Sequence, residues 1–127
     1  MTSVNEFYKC SVCGNLVSVV EAGKGTLVCC GQPMSLLQEK TAAMEGKEKH
    51  VPIISINGNN VNIKVGSIPH PMEEAHHIDF IQLLQNNKVV AMKQLTPGEK
   101  AEADFCLADT NNLRARELCN IHGLWTS

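Results

Sequence analysis

The chain has 127 residues, 43% of them hydrophobic and only 4% aromatic, and a formal net charge of -2. That length allows one ordinary core, or one main domain with a small appendage, and aliphatic side chains must fill most of it. The composition shows no basic footprint for nucleic acid and no acidic tail, no apolar run approaches the roughly 18–20 residues of a membrane span, and Met1 to Lys9 lacks the basic-then-apolar start of a signal peptide. The expected compartment is the cytoplasm.

In chain order, the first segment carries Cys10-Ser-Val-Cys13-Gly14, a short Val/Leu-rich stretch, glycines at 23 and 25, and Leu27-Val-Cys29-Cys30-Gly31. It can bury little apolar surface, and a fold below about 40 residues usually needs a metal or disulfides as a staple. Its end is placed near Leu37, giving domains 1–37 and 38–127. Residues 38–50 are polar and charged, with Gly46 among them, and read as a linker leading to an exposed loop. Strand signals follow. Ile54-Ser-Ile56 and Val61-Asn-Ile63-Lys-Val65 flank Asn57-Gly58, a strong hairpin turn. Ile78 to Leu84 and Val89 to Leu95 flank Asn86-Asn87, and Pro97-Gly98 turns the chain again. Ala101, Ala103, Phe105 and Leu107 alternate with Glu102, Asp104 and Cys106, whereas Leu113 to Leu118 fits a helical turn or a strand. Short strands with regular turn signals predict an antiparallel β-sandwich for the larger part.

Six cysteines and five histidines divide unequally along the chain. Cys10, Cys13, Cys29 and Cys30 come first, whereas His50, His70, His76, His77 and His122 all follow them, with Cys106 and Cys119 far downstream. A reducing cytoplasm favours thiolate ligands over disulfides. The four early sulfurs suit a tetrahedral zinc or a single iron, and spacing alone leaves both open. Adjacent Cys29 and Cys30 normally point apart, so both reach one ion only at a distorted angle. A lone histidine is more often a surface or core residue than a ligand. Here several sit in turns, His50 and His70 beside prolines, and Cys119-x-x-His122 has ligand-pair spacing.

Cys10-Ser-Val-Cys13-Gly14 with Val28-Cys29-Cys30-Gly31 resembles the desulforedoxin motif. Glu48-Lys49-His50-Val51-Pro52, His70-Pro71-Met72-Glu73-Glu74-x-His76 and Cys119-Asn120-Ile121-His122-Gly123-x-Trp125 resemble the superoxide reductase signature. Together the chain is similar to the two-iron desulfoferrodoxin class, not the one-iron neelaredoxin class. The resemblance implies an all-β protein: a desulforedoxin-like domain with one iron on Cys10, Cys13, Cys29 and Cys30, then an immunoglobulin-like sandwich with a second iron. There His50, His70, His76 and His122 would bind equatorially and Cys119 axially. It implies reduction of superoxide to hydrogen peroxide without dioxygen release, a rubredoxin-like electron donor and a homodimer.

The same resemblance makes Lys49 the cation that attracts superoxide and helps orient protons, and Glu48 the carboxylate that fills the sixth position in the oxidised state. The bland reading of both is a solvated charge pair. Backbone amides of Ile121 or His122 are candidates to temper the Cys119 thiolate. The four-cysteine iron is expected to be structural, with an electron relay as the minority reading. His77 reads as a residue behind the ligands or at the surface, and Cys106 as a lone thiol. Competing readings are a zinc-binding module, a pure electron carrier and a dismutase.

Overall fold

The computed structural model describes residues 1–45 and 49–127. The chain folds as two compact units, Met1–Gln38 and Glu39–Ser127. No described helix is long and apolar enough to cross a membrane.

The first unit has five short strands, β1 (Phe7–Lys9), β2 (Leu16–Ser18), β3 (Val28–Cys29), β4 (Gln32–Pro33) and β5 (Ser35–Leu36). They form a three-stranded sheet in the order β2-β1-β5 and a β3-β4 hairpin. Phe7, Cys10 and Val19 are its buried apolar residues. A core so small is consistent with a fold that needs a further staple.

In the second unit a 3-10 turn at Ala42–Met44 precedes β6 (Pro52–Asn57), β7 (Asn60–Val65), β8 (Ile78–Gln85), β9 (Lys88–Gln94), β10 (Glu102–Cys106), β11 (Leu113–Cys119) and β12 (Gly123–Thr126). Antiparallel pairing gives two sheets, β10-β7-β6 and β12-β11-β8-β9. Val61, Ile63 and Val65 of one sheet pack with Ile81, Leu83 and Ala115 of the other in one buried cluster. This is a β-sandwich, as the alternating pattern predicts. The turns have clear local causes. Gly58 has φ of 62° in the β6–β7 hairpin. Asn86 and Asn87 both have positive φ, 51° and 62°, as a tight turn with the right twist requires. Leu113 to Leu118 is strand, because Leu113 and Ala115 pack on the core and pair with Gln85 and Leu83 of β8.

Within the segment read as a linker, Glu39 and Lys40 are fixed in place despite their polarity. Lys40 forms a parallel bridge with Trp125; its N–H donates to the Leu124 carbonyl at 2.8 Å, and its carbonyl accepts from Thr126 N–H at 2.9 Å. Glu39 bonds Arg114 at 2.9 Å and the buried Arg116 at 3.0 Å. Backbone pairing and a buried guanidinium therefore fix residues that composition alone assigns to solvent.

Candidate metal centres

In the first unit the sulfurs of Cys10, Cys13, Cys29 and Cys30 all lie within 4.8 Å of one another. The Cys10-x-x-Cys13 turn aims two backbone amides, of Val12 and Cys13, at the Cys10 sulfur, each at 3.4 Å. These amides pull the Cys10 thiol down to about 6, the Cys13 amide most strongly. The adjacent pair converges because Cys30 has φ of 54° and Gly31 φ of 74°, closing the β3–β4 hairpin in the left-handed region. That conformation costs a non-glycine residue about 1–2 kcal/mol. It brings the Cys29 and Cys30 sulfurs to 4.0 Å. The sulfurs of Cys13, Cys29 and Cys10 push the Cys30 thiol up to about 12, with Cys13 contributing most. Four thiolates this close would repel one another, and a cation at their centre would remove the conflict. The donor set therefore fits a single thiolate-preferring metal ion.

In the second unit His50, His70, His76, His122 and Cys119 place one ligand atom each within 4.8 Å of all the others. The imidazoles form a closed ring. Centroids are 4.7 Å apart for His50–His70, 4.7 Å for His70–His76, 5.1 Å for His76–His122 and 4.7 Å for His122–His50. Neighbouring planes meet at 62° to 82°, so edges and not faces meet around the ring. His50 and His70 Nε2 atoms approach to 3.0 Å. The Cys119 sulfur lies 3.7 Å from His122 Nδ1. His50, His70 and Cys119 are buried, while His76 and His122 are half-buried. Four imidazole nitrogens and one thiolate sulfur suit iron, because nitrogen and sulfur donors favour a transition metal over calcium or magnesium.

The ligand-bearing turns are anchored by hydrogen bonds of their own. His70 Nδ1 donates to the Pro71 carbonyl at 2.7 Å, which leaves Nε2 to face the group. Glu45 accepts from the backbone N–H groups of His50 at 2.7 Å and Val51 at 3.0 Å. Those bonds hold its carboxyl below the usual range, although burial opposes the shift. Gly66 has φ of 81°, and a Cβ there would collide with the Lys49 carbonyl. A register shift between Leu118 and Cys119 sets Cys119 opposite Ile78 and re-aims the end of β11. The His122 amide reaches the Cys119 sulfur at 3.4 Å. Asn120 joins this turn to the one bearing His76: its N–H donates to the His77 carbonyl at 3.1 Å, its Oδ1 accepts from His77 N–H at 2.8 Å, and its Nδ2 donates to the Ala75 carbonyl at 3.0 Å.

The structure thus brings together all nine residues expected as metal ligands, in two groups. Lys49 is half-buried and adjoins His50. Glu48 lies outside the described residues. His77 stands outside the donor group, its ring between the Glu73 carbonyl and Asp79, each at 2.9 Å. Cys106 is exposed on β10, and belongs to neither group. Sequence reasoning missed Glu45, Asn120 and Lys40. It also missed Glu117, which is 0% exposed and is pushed up to about 9 by burial and by nearby Asp79. The phase of Leu113, Ala115 and Glu117 along β11 was the available signal, because it puts the carboxyl on the inner face.

Comparison with known proteins agrees with this geometry. The desulfoferrodoxin family model matches residues 42–127, and the model of the desulfoferrodoxin N-terminal domain matches residues 2–37. A desulfoferrodoxin homolog of Archaeoglobus fulgidus is 54% identical over 127 residues, covering 100% of this chain and 99% of its own length. The desulfoferrodoxin of Nitratidesulfovibrio vulgaris is 48% identical over 125 residues, covering 98% and 97%. The crystal structure of the superoxide reductase from Treponema pallidum superposes with a TM-score of 0.79 at 28% identity, covering 96% of each chain.

Proposed function

The chain belongs to the desulfoferrodoxin family, and from that premise we propose that it is a superoxide reductase carrying two irons. One iron belongs to Cys10, Cys13, Cys29 and Cys30, the other to His50, His70, His76, His122 and Cys119. The observation that carries this reading is the closed ring of four imidazoles with the Cys119 sulfur beside it. Iron in that set supplies the single electron that, with two protons, converts superoxide to hydrogen peroxide.

The protein's own contribution is to hold the donors and manage charge. The His70 bond to Pro71 fixes its tautomer, and Glu45 and Asn120 hold the turns that present His50, His76 and Cys119. The His122 amide donates to the Cys119 sulfur and would temper the thiolate's donation to an iron held there. Lys49 attracts the superoxide anion and helps orient the incoming protons, and Glu48 closes the site between turnovers. These two roles rest on the Glu48-Lys49-His50-Val51-Pro52 resemblance. The four-cysteine iron holds the small first unit together, as the few buried apolar residues there suggest. A rubredoxin-like donor, a homodimer and a cytoplasmic location complete the reading.

Metal analysis with a visible spectrum tests the assignment. Two irons per chain, one of them changing colour when superoxide is added, is the expected result. A colourless zinc protein from iron-replete cells would exclude it.

A further inference from the structure

The mechanism above makes no use of Lys40, yet Lys40 is tied to the second centre by a chain of named contacts. Its ammonium donates to the carbonyl of the ligand His122 at 2.7 Å. The same carbonyl accepts the Trp125 indole N–H at 3.2 Å. The ammonium also lies 5.5 Å from the Trp125 ring centroid, within cation–π range. Trp125 in turn stacks on the ligand His50, with centroids 4.8 Å apart and planes 13° apart. Gly123 lies directly beside the lysine: a Cβ there would meet Lys40 Nζ in ordinary contact at 3.6 Å, and its φ of 89° disfavours a side chain.

The placement is fixed from the backbone outward. Lys40 is bonded to Leu124 and Thr126, and the preceding Glu39 holds Arg114 and Arg116. With the backbone fixed, the 2.7 Å bond to the His122 carbonyl and the Trp125 ring hold the ammonium itself. A fixed positive charge near a metal favours the oxidation state of lower positive charge, because Coulomb repulsion rises with each added charge. For an iron that alternates between ferrous and ferric, that is the ferrous state, the one that gives its electron to superoxide.

We infer that Lys40 is a positioning residue that holds a positive charge against His122 and Trp125, and so biases the four-histidine, one-cysteine iron toward its reduced form. The inference rests on reading that donor set as an iron centre.

The test compares the iron-loaded wild type with Lys40→Gln and Lys40→Arg at equal iron content, by redox titration of the second centre. Glutamine keeps a hydrogen-bond donor without the charge, and arginine keeps the charge. At one fixed ambient potential, Lys40→Gln should show roughly a threefold or greater rise in the ferric-to-ferrous ratio. Lys40→Arg should stay close to wild type. Equal potentials in wild type and Lys40→Gln would overturn the inference, as would a Lys40→Arg protein that falls as far as Lys40→Gln. Wild type that binds no iron at the second site would instead overturn the underlying reading. Trp125, the one tryptophan of the chain, gives a readout that needs no iron. In metal-free protein Lys40→Gln should shift its fluorescence, and an unshifted spectrum would contradict the contact.

Discussion

The indole of Trp125 lies flat against the imidazole of His50, with centroids 4.8 Å apart and an interplanar angle of 13°. The contact joins the C-terminal strand to a ligand 75 residues earlier in the sequence (125 minus 50). Trp125 is 4% exposed, so it is both a core residue and the wall behind a ligand. Trp125→Ala should cost about 3–5 kcal/mol of stability, as removal of a buried aromatic usually does. Trp125→Phe keeps a ring against His50 but loses the donor to His122, and should cost nearer 1 kcal/mol. Thermal melts of the metal-free variants would separate the two, and iron retention should fall in the same order.

Glu45 provides a more local check. Its carboxylate is bonded to the backbone N–H groups of His50 and Val51, not to a metal-binding atom. Glu45→Ala should therefore leave the four-cysteine centre untouched and cost roughly 1.5–3 kcal/mol, the range for hydrogen bonds to charged groups. The expected signature is loss of iron from the second centre alone during dialysis against a chelator. Loss from both centres would show a general unfolding instead.

Glu117 gives a pH dependence. Burial raises its pKa to about 9, so the folded chain keeps the proton that the unfolded chain loses above about 4.5. Between those values the folded state binds more protons than the unfolded state, and stability from this group falls as pH rises. In metal-free protein Glu117→Gln should flatten that decline and melt higher than wild type at pH 8. Parallel pH–stability curves for the two proteins would contradict the assignment.

Spacing alone left each histidine open; the second-centre ligands were legible because Lys49-His50-Val51-Pro52, His70-Pro71-Met72-Glu73-Glu74-Ala75-His76 and Cys119-Asn120-Ile121-His122 resemble a family signature. The strands were legible from alternation around Asn57-Gly58 and Asn86-Asn87. Lys40 was not, because its partner carbonyl is 82 residues away and its own neighbours are polar. Nor did the adjacent cysteines reveal how they converge, since that depends on one left-handed residue, Cys30. Residues that hold the ligands act through space and carry no spacing rule of their own.

The four-cysteine centre can be separated from the chemistry. Cys13 is exposed and its sulfur lies 3.6 Å from that of Cys29. Cys13→Ser should bleach the first centre and lower the melting temperature, while the first reaction of the second centre with superoxide keeps its rate. Slower re-reduction of the oxidised second centre by an added donor would assign the first iron a part in electron delivery.

The central claim is that the ring of His50, His70, His76 and His122 with Cys119 serves one-electron reduction, not dismutation. The most direct test gives fully reduced protein a limiting pulse of superoxide without oxygen and counts the products. The account predicts one hydrogen peroxide and one oxidised second-centre iron for each superoxide consumed, with no dioxygen released. One peroxide for every two superoxides, with dioxygen released and the iron left reduced, would contradict it.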